Sequence, residues 1–208
     1  MRVLILGGTG RVGRLIVAEL IRRGHAVTVL ARDPKKMPGD STARIIEGNA
    51  LDAEAMSRAV STQQAVIYAI GPRRPGGTTL FSESTRILIE AMARHDVARL
   101  VAITGIGAGE TKGHGGFLYD RVLYPLFTRT IYEDKDRQEA LVRGSALEWT
   151  LVRPAPIRER RARGPLRAVV DVRGVTLRSI APAEVATFVV DELESRRYLK
   201  QSPFIGHP

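Results

Sequence analysis

The stretch Gly7-Gly8-Thr9-Gly10-Arg11-Val12-Gly13 restricts what this chain can fold into more than any other. It follows the apolar run Val3-Leu4-Ile5-Leu6 and precedes residues 12–21, whose apolar positions recur at helical spacing until Gly24 stops them. Strand, tight turn and helix in that order is the context a G-x-x-G-x-x-G pattern needs to mean more than a loop. Gly7 permits the turn, Gly10 lets backbone approach a pyrophosphate, and Gly13 lets helix and strand pack closely. Amides at the helix start then face phosphate charge. The candidate dinucleotide contacts in this stretch are Gly7, Thr9, Gly10, Arg11, Val12 and Gly13.

The same rhythm continues. Apolar, β-branched runs at residues 26–30, 43–47, 64–70, 98–104 and 147–152 read as strands. Helical patterns separate them: one near 53–60 with Asp52 as N-cap, one near 80–95, and one opened by Thr130-Ile131-Tyr132-Glu133 as a capping box, running to Arg143 and closed by Gly144. Residues 71–77 and 105–116 are too rich in glycine and proline to be anything but loops. Strands alternating with helices, and apolar on both faces, predict an α/β fold with a mostly parallel, doubly wound sheet of the Rossmann type. Beyond Pro154 the rhythm weakens into a basic loop at 158–163, a strand near 166–170, a turn at Gly174, a helix from Pro182 to about 193, and an edge strand at 203–205. At 208 residues one domain is expected, with 1–153 as a cofactor-binding core and 154–208 as a substrate-side cap carrying the last helix and strand.

Composition narrows the chemistry. Without cysteine there is no thiolate nucleophile, redox pair or Cys-ligated metal. The scattered His25, His95, His114 and His207 lack ligand spacing, so no metal is expected. A start without signal-peptide architecture and apolar runs too short to span a bilayer predict a soluble, cytoplasmic protein with no membrane partner. The balance of 32 Lys+Arg against 22 Asp+Glu, net +10, invites a nucleic-acid reading. Dispersed arginines, no basic stripe and only 5% aromatics argue against it. An anionic cofactor accounts for part of the charge.

The end of the second strand selects that cofactor. An acid there would take the ribose 2′-hydroxyl of NAD; this chain has Leu30-Ala31-Arg32. A guanidinium, with Arg11 and Lys35-Lys36 nearby, favours the 2′-phosphate of NADP(H). Asp33, directly before Pro34, reads as a turn residue.

These features, with the Glu47-Gly48-Asn49-Ala50-Leu51-Asp52 turn, Ala69-Ile70-Gly71 and Trp149-Thr150-Leu151-Val152-Arg153-Pro154, resemble the atypical short-chain dehydrogenase/reductases. Within them the chain is similar to the NAD(P)-binding NmrA-like and biliverdin/flavin reductase-like group. The resemblance implies that Asn49, Ala50 and Leu51 lie along the adenine, Ile70 and Gly71 along its ribose, and Thr104, Lys135 and Pro154 to Ile157 around the nicotinamide. Asn49 stands where the group usually has Asp.

The departures bear on the chemical step. The resemblance implies a Tyr-x-x-x-Lys pair, in which lysine lowers the tyrosine pKa for proton transfer, yet no such spacing occurs. Tyr132 and Lys135 are three apart; Tyr119 and Tyr124 have no lysine four residues on. Thr104, followed by Gly105, replaces the expected serine and retains a hydroxyl able to donate. Thr104, Lys135 and Tyr132 are therefore the candidate catalytic residues, Lys135 as a ribose or substrate contact or else a solvated helix residue, and Tyr132 as an acid. Arg73-Arg74 and residues 158–163 follow strand ends, where they attract an anionic substrate or form a solvated basic rim.

The expected function is NADPH-dependent hydride transfer to a small conjugated or ring acceptor such as a flavin, quinone or tetrapyrrole, which can take its proton from water and tolerates the missing pair. The alternative is a non-catalytic NADP(H) sensor, NmrA-like, that binds a protein partner through its loops. Either is expected as a monomer or homodimer.

Overall fold

Alternation in the first strand sets the layers. In β1 (Arg2–Leu6) Val3 and Ile5 enter one apolar cluster and Leu4 and Leu6 another, as the period of two in a strand requires. The computed structural model describes residues 1–38, 41–72, 78–105, 129–159 and 164–208, and of Arg129, Thr130 and Tyr132 the backbone alone. Against the Val3–Ile5 face pack α1 (Arg11–Arg22), through Ile16, Val17 and Leu20, and α5 (Pro182–Ser195), through Val185, Val189 and Val190. The opposite face is covered by α2 (Ala53–Val60), α3 (Leu80–Arg94) and α4 (Arg129–Arg143), with Met56, Leu88 and Val142 among the buried contacts.

Between the layers lie β2 (Ala26–Ala31), β3 (Arg44–Glu47), β4 (Ala65–Tyr68), β5 (Arg99–Ile103), β6 (Glu148–Pro154), β7 (Arg167–Val169) and β8 (Phe204–Gly206). They form a sheet of order β3-β2-β1-β4-β5-β6-β8-β7, parallel except for β7. This is the doubly wound Rossmann architecture expected. A 3₁₀ turn, Pro34–Lys36, follows β2, capped by the Asp33 side chain. Asp52 caps α2 as anticipated, accepting from the Glu54 and Ala55 amides at 2.9 and 3.2 Å.

Two expectations are corrected. The strand near 203–205 is not an edge: β7 pairs outside it, and Phe204 and Ile205 are fully buried. The Thr130 capping box does not open α4 either, because the helix already includes Arg129 and Thr130. Within 154–208, α5 and β8 belong to the scaffold: α5 backs α1, and β8 lies beside β6. At the amino end of β5, Arg99 is buried against Glu192 and Thr150, both at 2.9 Å, which ties α5 to the sheet far from the strand ends that carry the cleft.

Candidate active site

Strand order reverses between β1 and β4, and open α/β sheets bind ligands outside the carboxyl ends at such a point. Here Gly7 has φ 86°, and a Cβ on it would fall 2.5 Å from the Ala69 carbonyl oxygen. A Cβ on Gly13 would meet the Gly7 oxygen at 2.1 Å, so α1 rests directly on the turn. Gly10 is the N-cap and brings no capping side chain, which leaves the first-turn amides of α1 without intrahelical acceptors. Those amides, in a turn whose three glycines present no side chain, fit a pyrophosphate.

From this turn a cavity of about 730 Å³ runs along the strand ends. It brings together Gly7, Thr9, Gly10, Arg11, Val12, Arg32, Asn49, Ala50, Ile70, Gly71, Thr104, Lys135, Pro154 and Ile157. Two predicted contacts stand apart: Gly13 packs under the loop, and Leu51, 45% exposed, lies off the cavity because the turn closes through Asn49, whose side chain accepts from the Leu51 amide at 3.2 Å. At the mouth, Arg32 is exposed and makes no hydrogen bond or ion pair among the described residues, whereas Lys36 pairs with Asp33 at 3.0 Å. Arg11 pairs with Glu159 at 2.6 Å across the opening. Arg73, Arg74, residues 160–163, His114, Tyr119 and Tyr124 lie outside the described residues, as does the Tyr132 side chain on α4.

The inner end is polar and buried. Lys135 is 3% exposed; its Nζ donates to the Ile103 carbonyl at 3.2 Å and to Gln138 Oε1 at 3.1 Å, and sits 4.0 Å from the Phe81 ring centre. Burial lowers its pKa to about 7, opposed by the charges of Glu139 and Asp134. It is no solvated helix lysine. Thr104 also differs from expectation: its hydroxyl donates at 2.7 Å to Glu139, whose carboxylate Arg153 grips at 3.1 and 2.6 Å. The threonine proton is committed inside the protein, which leaves the oxygen able only to accept from a ligand in the cavity that Thr104 lines.

Sequence reasoning missed Glu139, Asp134 and Gln138. Asp134 accepts from the Phe81 amide at 2.8 Å and the Ser82 hydroxyl at 2.5 Å, capping α3 from another helix. Gln138 donates to Thr85 at 2.9 Å. The signal was present: Ile131, Asp134, Lys135, Gln138, Glu139 and Val142 occupy one helical stripe, all buried, and its middle is polar. Beside Lys135, Tyr68 is buried and bonds Ser84 at 2.7 Å, its phenol pushed above the usual range by desolvation.

Among the described residues, no helix is long and apolar enough to cross a membrane, and no three His, Asp or Glu side chains gather as a metal site would need.

A family profile described as NAD(P)H-binding matches residues 7–196. An uncharacterized Bacillus subtilis protein, YwnB, is 28% identical over 205 residues, 93% of this chain and 92% of its own length. A Streptomyces protein named 3-diazoavenalumate denitrifying reductase is 34% identical over 114 residues, 49% of this chain and 37% of the relative. Among solved structures, a short-chain dehydrogenase/reductase from Veillonella parvula in complex with NADP aligns with TM-score 0.84 at 16% identity, covering 100% of this chain and 94% of that one, a likeness of fold.

Proposed function

We propose that this chain, which belongs to the NAD(P)H-binding family of Rossmann oxidoreductases, binds NADPH in preference to NADH and passes hydride to a small conjugated or ring acceptor. The observation that carries the cofactor choice is Arg32, an exposed guanidinium with no partner among the described residues, at the cavity edge beside Lys36 and Asn49. A 2′-phosphate would give it the charge-assisted partner it lacks. The first-turn amides of α1 would hold the pyrophosphate, Asn49 and Ala50 the adenine side, Ile70 and Gly71 the adenosine ribose, and Thr104, Lys135, Pro154 and Ile157 the nicotinamide end.

When bound, the cofactor supplies a hydride. The protein's share is to orient it and to keep the inner cavity dry, which the burial of Lys135 and Thr104 supports. A conjugated acceptor suits a site in which the Thr104 proton is already taken by Glu139. The partial likeness to a reductase named for a diazo compound supports a reductive reaction.

Calorimetric titration tests the cofactor. NADPH should bind more tightly than NADH, and Arg32→Ala should cost roughly 1.5–3 kcal/mol of NADPH affinity while leaving NADH nearly unchanged. Equal losses with both would overturn the 2′-phosphate role. Tight NADPH binding without oxidation by any flavin, quinone or carbonyl probe would favour the sensor over the reductase.

A further inference from the structure

Resting on that reading, we propose that Lys135 is the proton donor of the reaction, and that Glu139 and Arg153 make it so by holding the Thr104 hydroxyl as an acceptor.

Available hydrogens single out Lys135. Among the described residues that line the cavity are Ile103 and Thr104 at the end of β5, Lys135 from α4 and Pro154 from β6. The Ile103 carbonyl and Pro154 have no hydrogen to give. Thr104 has one, and Glu139 takes it at 2.7 Å; with the carboxylate clamped by Arg153 at 3.1 and 2.6 Å, reversing that bond would leave two acceptors face to face. Lys135 has three N–H bonds and uses two, on the Ile103 carbonyl and Gln138. The third is the hydrogen this set can release.

The surroundings make release feasible. Facing Lys135 are Asp134 and Glu139 on its own helix, Phe81 on α3, Tyr68 on β4 at 5.7 Å from its ring centre, and Arg153 on β6 through Glu139. Desolvation outweighs the two carboxylates, so the ammonium gives up its proton near neutrality. A buried lysine at its ordinary pKa would be too weak an acid to help.

The balance is simple. Hydride from NADPH forms one bond at an electrophilic atom of the acceptor. The electron pair displaced onto the far end of the conjugated system takes the Lys135 proton. Neutral Lys135 regains a proton from water once the product has left and the cavity is again open to solvent.

With Lys35, Lys36, Lys112, Lys135 and Lys200 as the only lysines, ¹³Cε-lysine labelling gives a spectrum simple enough to assign with Lys135→Met. In the full chain, with and without NADPH, the Lys135 signal should titrate near pH 7. Lys135 titrating near 10 would overturn the proposal. Pre-steady-state oxidation of bound NADPH by a quinone or flavin probe should slow above pH 7, and Lys135→Met should be slowed at least tenfold at pH 6 and lose that pH limb. A limb that survives in Lys135→Met but vanishes in Tyr132→Phe would move the donor to Tyr132. No oxidation by any probe, with NADPH bound and Lys135 titrating near 7, would overturn the reductase reading and the donor with it. Oxidation whose pH profile ignores Lys135 would overturn the donor alone. Thr104→Val separates the supporting part: the Lys135 titration should hold while the oxidation rate falls.

Discussion

Two helices on opposite faces of the sheet present the same stripe of buried positions and fill it differently. On α1 the buried residues are Gly13, Ile16, Val17 and Leu20; on α4 they are Ile131, Asp134, Lys135, Gln138, Glu139 and Val142. The first stripe gains the full hydrophobic return of its side chains. The second gives much of that up and must desolvate charges, a cost that a buried ion pair at best offsets. The helix whose amino end borders the glycine turn needs only to be rigid, so its core face is ordinary. The helix beside the inner cavity must also place hydrogens, and its core face is chemical.

Breaking the clamp should give the largest effect. Glu139→Ala leaves Arg153, 1% exposed, buried without the Glu139 carboxylate, and should cost about 3–5 kcal/mol in urea denaturation. Glu139→Met with Arg153→Met should recover most of that stability and none of the oxidation rate; a double variant as unstable as the single one would mean that the pair is structural. On α1, Ile16→Ala should cost about 2–5 kcal/mol as a cavity while the ratio of NADPH to NADH affinity stays put.

The third test uses pH. Lys135 has a folded pKa of about 7 against the ordinary lysine value of 10.5. Between these the unfolded chain binds a proton the native one does not, so stability rises with pH, at a slope approaching about 1.4 kcal/mol per unit. The cost is fully present below 7. Lys135→Met should therefore flatten the wild-type curve over that interval, and parallel curves would place the lysine in water. The smallest effect is expected from Asp134→Asn, about 1 kcal/mol, since it weakens the α3 cap while keeping one acceptor.

What the residues disclosed in advance follows the same division. The glycine turn was readable because its backbone demands a residue type: φ 86° at Gly7 and a 2.1 Å approach at Gly13 exclude side chains wherever the rest of the fold lies. Arg32 was readable because a strand end has a fixed place relative to that turn. That Thr104 and Lys135 line the cavity was legible, but not their state, since the Glu139 that takes one proton and the Phe81 ring that desolvates the other arrive only when β5, α3 and α4 pack. Thr130 misled because a local S/T-x-x-E rule cannot see that the helix already includes Arg129. The edge reading of residues 203–205 failed for a kindred reason, as a strand's neighbours are a property of topology. A polar middle in an otherwise core-facing helical stripe was the available clue to Asp134, Gln138 and Glu139.

The cap that Asp134 lends to α3 has a dynamic consequence. First-turn amides of a helix ordinarily have no partner in their own helix and exchange with solvent quickly. Here the Phe81 and Ser82 amides are held by a carboxylate more than fifty residues away in the chain, at 2.8 and 3.4 Å. Their exchange can run only as fast as α4 lifts from α3, which makes those two amides a clock for the opening of the chamber around Lys135.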